Sequence, residues 1–475
     1  MNKTDFYVDG SWVKPSSSET IPVLDPSSET VLASITLGNE QDLNDAVRAA
    51  SVAFSGWSQT SVEIRKGLLT KLLEIYKSKM SEMATTISQE MGAPIAIAQS
   101  AQVGAGYGHL KQAIKVLEGF EFETQIQNRD TVDHIFQEPI GVVGLITPWN
   151  WPMNQVMLKV APALAAGCTV VFKPSEIAPL SSMLLAEMIH EAEFPKGVFN
   201  LVNGDGPGVG TYLTKHSDVQ SISFTGSTRA GKLIMQAASD SVKPVCLELG
   251  GKGANLIFAD ADEKAVTRGV RQCFLNSGQS CNAPTRMLVE ESIYEQAVEQ
   301  ALAMALKTSV GLASDDGRHI GPVSSEAQYE KVQALIEQGI QEGARLVCGG
   351  VGKPEGFEKG FFVKPTVFSE VTEDMEIFKQ EIFGPVLSIM PFKDEPHAVQ
   401  LANNTPYGLT NYVQTSDSER AKRLARKLRS GMVEVNGQLL SPASPFGGIG
   451  LSGNGREGGV WGLEEFLYPK AVSGL

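Results

Sequence analysis

Between Gly141 and Ser227 the chain repeats one pattern four times: a short apolar run ends in a turn, and a segment with helical periodicity follows. The four runs are GVVGLITPW, CTVVFKPSE, FNLVNGDG and VQSISFTGS. Near-continuous apolar strands that alternate with helices are typical of a parallel sheet covered on both faces, because each strand is then buried on both sides. The pattern therefore predicts an α/β fold.

The same alternation restarts after Gly250. It consists of the strand ANLIFADAD, a helix near Glu263–Leu275, the strand TRMLVEE and a helix from Ser292. A chain of 475 residues is also too long for one hydrophobic core. We therefore expect two α/β units, joined near the sequence ELGGK.

The remaining segments have other patterns. The stretch from Phe6 to Ile35 alternates β-favouring residues with Asp-Gly and Pro-Ser turns, which predicts antiparallel strands. Residues 40–119 have helical periodicity, and the polar stretch 121–139 alternates again. The segment LEEFLYPKAVSGL predicts a terminal strand that pairs outside its own core.

Charge and cysteine content argue against several classes of function. The formal net charge of −14 disfavours nucleic acid or an anionic membrane as a partner. No apolar run approaches the roughly 18–20 residues of a membrane helix, and MNKTDFYVDGSWVKP has charges where a signal peptide is apolar. Five scattered cysteines, with no CxxC and no Cys/His cluster, predict a reduced, cytoplasmic chain without disulfides or a metal site.

Cys281 differs from the other cysteines because its neighbours in LNSGQSCNAPTR are small or polar. A free cysteine is usually a buried small hydrophobe, so Cys281 is either a nucleophile or a surface accident. The other four are interpreted as packing residues: Cys168, Cys246, Cys273 and Cys348. None of the six histidines lies in a motif-like setting, so nothing favours a Cys–His pair.

Two further residues are candidates for acid–base and oxyanion chemistry. Glu248 ends an apolar strand in LELGGK, where burial would raise the pKa of its carboxyl and suit it to activate water; a salt bridge to Lys252 is the alternative. Asn150 lies in the stiff turn TPWNWP, so its amide is a candidate donor to an oxyanion, together with the backbone N–H of Cys281. Core filling by the neighbouring tryptophans is the alternative reading of that turn.

A dinucleotide site is expected, although the chain lacks the GxGxxG signature. GDGPGVG has the wrong spacing and is interpreted as a turn. In SFTGSTRAG, Gly226 and Ser227 follow a strand and start a helix, where a phosphate or merely a helix cap would fit. In FKPSE, Lys173 and Glu176 could hold ribose hydroxyls, with a carboxylate that repels the 2′-phosphate of NADP; an ordinary helix start is the alternative.

Taken in order, TPWNWP, FKPSE, FTGS, LELGGK, GQSCNAPTR, EIFGPV, PFGG and SGNGRE resemble the aldehyde dehydrogenase superfamily, with similarity from about Tyr7 to Pro469. The resemblance implies that Cys281 is the nucleophile, Glu248 the general base, Asn150 the oxyanion donor and Glu457 a second carboxylate for proton relay. It implies these cofactor contacts: Ile146, Thr147, Pro148, Trp149, Lys173, Ser175, Glu176, Phe224, Gly226, Ser227, Leu249, Glu381 and Phe383. The expected substrate pocket comprises Trp151, Gln155, Leu158, Leu275 and Phe446.

The resemblance also implies the domain plan and the reaction. Residues 1–120 and 140–249 would form a Rossmann-type NAD-binding domain, 250–442 an α/β catalytic domain, and 121–139 with 461–475 a small β oligomerisation arm for a dimer or tetramer. The reaction would be oxidation of a small-molecule aldehyde to a carboxylic acid, with NAD preferred to NADP and no metal. The alternatives are a CoA-acylating relative and a non-catalytic family scaffold. One departure is Asn282, where many relatives have a small, hydroxyl or second cysteine residue after the nucleophile.

Overall fold

The computed structural model describes residues 3–129 and 131–475. Its strands are β1 (Phe6–Val8), β2 (Ser11–Val13), β3 (Thr20–Leu24), β4 (Val31–Thr36), β5 (Glu123–Asn128), β6 (Thr131–Pro139), β7 (Val142–Ile146), β8 (Thr169–Lys173), β9 (Phe199–Leu201), β10 (Ser221–Thr225), β11 (Val245–Glu248), β12 (Ala254–Ile257), β13 (Arg286–Glu290), β14 (Arg345–Cys348), β15 (Thr366–Ser369), β16 (Val386–Phe392), β17 (Thr410–Gln414), β18 (Met432–Val435) and β19 (Leu467–Ser473).

The α-helices lie between these strands. They are α1 (Glu40–Trp57), α2 (Val62–Ser78), α3 (Met80–Met91), α4 (Ile95–Ile97), α5 (Val103–Gly119), α6 (Pro152–Ala166), α7 (Leu180–Glu191), α8 (Thr211–Lys215), α9 (Thr228–Ala238), α10 (Ala265–Phe274), α11 (Tyr294–Leu306), α12 (Glu326–Gln341), α13 (Glu376–Lys379), α14 (Glu395–Asn403), α15 (Ser418–Lys427) and α16 (Gly459–Glu464).

The first large sheet has the strand order β11-β10-β7-β8-β9-β1-β2. Strands β7 to β11 pair in parallel, and β1 joins the edge of β9 antiparallel. The order runs one way from β7 to β9 and the other way through β10 to β11, so the sheet has a topological switch point between β7 and β10. Open α/β sheets bind ligands outside the carboxyl ends of the strands at such a point.

The second large sheet has the order β14-β15-β16-β13-β12-β17-β18 and is parallel except for the β14–β15 pair. Its strands lie between residues 254 and 435. The predicted α/β fold with two parallel sheets is therefore confirmed. The antiparallel strands expected near the start of the chain are also present, as the pairs β1–β2 and β3–β4.

The third sheet joins distant parts of the chain. Strand β6 pairs antiparallel with β5 on one side and with β19 on the other, from Leu467 opposite Pro139 to Ser473 opposite Asp133. The terminal strand is shorter than LEEFLYPKAVSGL implied, because Leu463 is buried in the core of the first unit and lies with Glu464 in α16. Within the described residues, β5 and β19 are the free edges of this sheet.

Candidate active site

Cys281 lies in a turn whose backbone explains its small neighbours. The turn follows α10 and takes three successive left-handed residues, with φ of 54° at Asn276, 59° at Ser277 and 73° at Gly278. A side chain at Gly278 would overlap the backbone of Gly384, so the turn requires glycine there. Cys281 itself is half-buried, whereas the sulfur-bearing side chains of Cys168, Cys246 and Cys273 are buried. The polar, glycine-containing sequence therefore shapes a turn in which Cys281 is only partly buried.

Glu248 ends β11 beside this turn. A side chain at Gly251 would overlap the carbonyl oxygen of Cys281, so the ELGGK turn and the cysteine turn meet backbone to backbone. The Glu248 side chain is 2% exposed, and neither of its carboxyl oxygens has a hydrogen-bond partner among the described residues. The alternative of a salt bridge to Lys252 is wrong, because the Lys252 ammonium is also buried without a partner.

The surroundings of Glu248 perturb its acidity. Burial raises the pKa of the Glu248 carboxyl well above its usual value, and the nearby Glu457 carboxylate raises it further, while Lys159 and Arg456 oppose the shift. Burial likewise raises the pKa of the Cys281 thiol, with Glu381 and Glu248 adding to the effect; the backbone N–H groups of Asn282 and Cys281 act against it. The surroundings therefore favour the neutral form of both the Cys281 thiol and the Glu248 carboxyl.

Asn150 is held by a network that the sequence did not reveal. Its Nδ2 donates to the backbone oxygen of Gln279 at 2.9 Å. Its own backbone oxygen accepts from Gln102 Nε2 at 3.1 Å and from Asn276 Nδ2 at 2.8 Å. The Asn150 side chain is buried, so these bonds fix its amide against the loop that carries Cys281.

Lys159 also belongs to this site, although the sequence analysis did not single it out. This α6 lysine is fully buried, pairs with Glu457 and donates to Ser223 Oγ at 3.0 Å. Its signal in the sequence is a single charge inside the apolar run VMLKVAPAL, because a buried lysine is rarely found without a partner. The predicted relay residue Glu457 therefore belongs to a buried ion pair that faces Glu248.

A cavity of about 730 Å³ lies at the carboxyl ends of β7, β8 and β10, beside the switch point of the first sheet. Eight of the thirteen predicted cofactor contacts line it: Ile146, Thr147, Pro148, Lys173, Ser175, Glu176, Phe224 and Gly226. Thr211, Lys215 and Arg229 also line the cavity and were not predicted. Lys173 Nζ contacts Glu176 at 3.2 Å, which leaves a cation and an acceptor at the strand end.

The cavity fits a dinucleotide. Ser227 caps α9 by accepting from the backbone N–H of Ala230, and Gly226 before it has no side chain to block the helix terminus. A helix N-terminus of this kind favours a phosphate through its free N–H groups and its dipole. Ser227 can therefore cap α9 and lie at a phosphate site at the same time.

The other predicted cofactor contacts lie around the ELGGK turn. Glu381 accepts from the backbone N–H of Gly251 at 2.7 Å. Phe383 has a left-handed φ of 63° and packs edge to face on Trp149, with ring centroids 5.6 Å apart. Leu249 is buried against Gly231 of α9. These residues form a second group that extends towards Cys281.

The predicted substrate-pocket residues are only partly brought together. Trp151 Nε1 donates to Ser280 Oγ at 2.7 Å, next to Cys281. Gln155 and Leu158 are buried on α6, and Phe446 exchanges two backbone hydrogen bonds with Glu457. Leu275, by contrast, is 41% exposed. Their shared role in binding a substrate stays a prediction.

Fold and geometry agree with comparison to known proteins. The model of the aldehyde dehydrogenase family matches residues 12–472, so the chain belongs to that family. It is 51% identical over 472 residues to 3-succinoylsemialdehyde-pyridine dehydrogenase of a Pseudomonas species, covering 99% of this chain and 98% of the relative. This chain is therefore an oxidoreductase that acts on aldehydes.

Solved structures give the same result. A crystal structure of an aldehyde dehydrogenase from Bartonella henselae has 56% identity and a TM-score of 0.98, covering 99% of both chains. A cysteine-to-alanine variant of aldehyde dehydrogenase C from Pseudomonas syringae, solved with NAD+ and octanal, has 46% identity and a TM-score of 0.97, covering 99% of this chain and 96% of that one.

Neither a metal site nor a membrane-spanning helix is found in the described residues. No group of three or more His, Cys, Asp or Glu side chains there is arranged to hold a metal ion. None of the helices in the same residues combines the length and the apolar character needed to cross a membrane.

Proposed function

We propose that this chain oxidises an aldehyde to a carboxylic acid by covalent catalysis at Cys281, with NAD as the hydride acceptor. The observation that carries the proposal is the pairing of a half-buried thiol with the buried, unpartnered carboxyl of Glu248 across two touching turns. Nucleophilic catalysis needs a base near the covalent intermediate, and a raised carboxyl pKa suits that task. NAD in the solved relative supports the choice of cofactor.

The chain's own groups carry the first half of the reaction. The Cys281 thiolate attacks the carbonyl carbon and forms a thiohemiacetal alkoxide. The Asn150 amide and the backbone N–H of Cys281 stabilise that alkoxide, and the hydrogen bonds around Asn150 hold the amide in place beforehand. When bound, the nicotinamide of NAD accepts the hydride from the substrate carbon. A thioester on Cys281 remains.

In the second half, Glu248 removes a proton from water, which attacks the thioester and releases the acid and the Cys281 thiolate. The proton then has to leave a buried carboxyl. The Lys159–Glu457 pair lies behind Glu248 and supplies both a donor and an acceptor for this exit. Overall, aldehyde, NAD+ and water give acid, NADH and a proton.

The cofactor preference and the remaining assignments belong to the same proposal. Glu176 borders the cavity and favours NAD, because its carboxylate would repel a 2′-phosphate. Residues 1–120 and 140–249 would form the NAD-binding domain and 250–442 the catalytic domain, which agrees with the two large sheets. The free edges of the third sheet support an arm (121–139 and 461–475) that joins subunits into a dimer or tetramer. We place the protein in the cytoplasm, where free cysteines persist.

The test is Cys281→Ala against an aldehyde panel. The variant should lose NADH production while still binding NAD by calorimetry; full activity would end the proposal. The panel includes octanal and 3-succinoylsemialdehyde-pyridine, because relatives were solved with or named for them, together with short, aromatic and ω-carboxylated aldehydes. Acyl-CoA without free acid would instead indicate a CoA-acylating enzyme. A wild-type protein with no turnover on any aldehyde would indicate a non-catalytic scaffold.

A further inference from the structure

Tyr412 is a buried tyrosine whose hydroxyl reaches the loop of the nucleophile. It lies on β17, is 1% exposed, and donates its hydroxyl hydrogen to the backbone oxygen of Asn282, the residue after Cys281. The strand TNYVQ mixes polar and apolar residues, and the sequence alone assigns no role to its tyrosine. A phenylalanine would fill the same space, and a buried hydroxyl costs free energy unless it is hydrogen-bonded, so this hydroxyl calls for an explanation.

The Cys281–Asn282 segment is held on both sides. The carbonyl of Cys281 faces Gly251, where no side chain fits. The carbonyl of Asn282 is bound by Tyr412, whose ring edge lies 3.6 Å from the Cβ position of Gly253. The backbone N–H groups of Cys281 and Asn282 act to lower the pKa of the Cys281 thiol. The Asn282 carbonyl shares its peptide unit with the N–H of Ala283, which donates to the backbone oxygen of Ser280 at 3.1 Å. Tyr412 and Ser280 therefore hold the two sides of one peptide, and this fixes the Ser280–Ala283 turn with Cys281 and Asn282 at its centre.

We propose that Tyr412 is a positioning residue for the nucleophile: by binding the Asn282 carbonyl, it fixes the Ser280–Ala283 turn that carries Cys281 and, with it, the backbone N–H groups that favour the thiolate. This inference rests on the proposed role of Cys281. It involves the position after the nucleophile through the backbone carbonyl of Asn282.

The charged groups around the pair are consistent with this role. Burial raises the pKa of the Tyr412 hydroxyl well above its usual value, and the nearby Glu434 carboxyl and the Cys281 and Cys273 thiols add to the effect. Tyr412 is therefore a neutral hydrogen-bond donor throughout the working pH range. The carboxyls that face the Cys281 sulfur, Glu248 and Glu381, both disfavour the thiolate. The N–H donors thus oppose two acidic neighbours, and fixing them has a measurable effect.

The test is Tyr412→Phe in the full-length protein. The rate of Cys281 alkylation by iodoacetamide is measured from pH 6 to 10, with the modified peptide identified by mass spectrometry. We expect alkylation at pH 7 to slow by about threefold to tenfold, the range of one net hydrogen bond, with the apparent pKa of the thiol raised. The value of kcat should fall by a similar factor and the Kd for NAD should not change.

Tyr294→Phe is the matched control. Tyr294 is buried at the start of α11, and its hydroxyl donates to the backbone oxygen of Ile389 at 3.4 Å and accepts from the backbone N–H of Glu370 at 2.8 Å. Neither partner belongs to the Ser280–Ala283 turn. The Tyr294→Phe variant loses the same kind of hydrogen bond, so it should lower stability and leave the alkylation profile unchanged. If Tyr412→Phe behaves like this control, the proposal is wrong.

Two further experiments test the role of Tyr412 if Tyr412→Phe does not fold or if the proposed function itself fails. If Tyr412→Phe does not fold, 3-fluorotyrosine in place of Tyr412 retains the ring and makes the hydroxyl a stronger donor; faster alkylation at pH 7 is expected, and an unchanged profile overturns the proposal. If Cys281→Ala retains turnover, the proposed function fails, yet the alkylation profiles still report whether Tyr412 governs this thiol.

Discussion

Replacing Glu248 by glutamine separates the two halves of the proposed reaction. Glutamine has the same shape, so the 2%-exposed site is not reshaped, but it cannot take a proton from water. General-base catalysis contributes typically 10²–10⁴-fold. We therefore expect steady-state turnover to fall by at least about a hundredfold while the hydride step, which does not use Glu248, persists.

The assay is rapid mixing of Glu248→Gln with NAD and an accepted aldehyde. The expected record is a burst of about one NADH per site followed by a slow phase, with an acyl group on Cys281 in the intact-mass spectrum. A wild-type steady-state rate would remove Glu248 from the mechanism. Loss of the burst itself would mean that Glu248 acts before the thioester forms, which would refute the assigned order of steps.

The raised pKa of Glu248 adds a pH signature. Wild-type deacylation should increase with pH until the carboxyl ionises, so the ratio of wild-type to variant rates should grow with pH.

The effect of Glu248 on the free energy of unfolding has the opposite direction. Because the folded-state pKa lies above the unfolded one, the contribution of Glu248 is fully present below the unfolded pKa and is lost as pH rises, by at most about 1.4 kcal/mol per pH unit. Urea titrations should show Glu248→Gln gaining on the wild type as pH increases.

Three other changes test neighbouring parts of the site. Asn150→Ala should slow kcat by about 10²–10³-fold, or about 2.7–4 kcal/mol in barrier, with the Kd for NAD unchanged; near-normal kcat would exclude it as the oxyanion donor. Lys159→Met should lower the free energy of unfolding in urea by about 3–5 kcal/mol, because it leaves the buried carboxylate of Glu457 unpaired. Adding Glu457→Gln should recover much of that loss. Purely additive effects of the two substitutions would contradict the pairing. Burial, followed by the charge of Arg286, lowers the pKa of Lys252 to about 7. The unfolded chain therefore binds more protons between pH 7 and its ordinary pKa, and wild-type stability should rise over that window; Lys252→Met should lack this rise in urea titrations at pH 7 and 9.5.

The fold followed from local patterns because the inner strands of the two large sheets are buried on both faces and each turn has its own chemistry. Partners distant in sequence were harder. Lys159 and Glu457 are 298 residues apart, and their pairing depends on how α6 and the segment after Phe446 pack, which no local pattern encodes. Tyr412 illustrates the same limit, because a tyrosine in a buried strand gives the same sequence pattern whether or not its hydroxyl binds a distant backbone carbonyl.

Some predictions were too local. Glu248 and Lys252 are four residues apart, which made a salt bridge the natural alternative, but the two glycines between them turn the chain and the side chains do not meet. The last predicted strand began too early because burial of Leu463 extends a helix into it. In both cases the backbone path, set by packing against a distant segment, overrode the tendency of the sequence nearby.

The segment from Phe446 to Glu457, which crosses Glu248, the proposed general base, is synthesised late. Gly453 bridges to Glu248, the backbone N–H of Leu249 donates to Ser452, and Glu457 joins Lys159. Beyond it, β19 closes the third sheet on a strand that the ribosome made more than three hundred residues earlier. A nascent chain therefore carries Cys281 and Glu248 before the segment that surrounds Glu248 has been made, so the two turns cannot be held in their final arrangement until synthesis has reached at least Glu457.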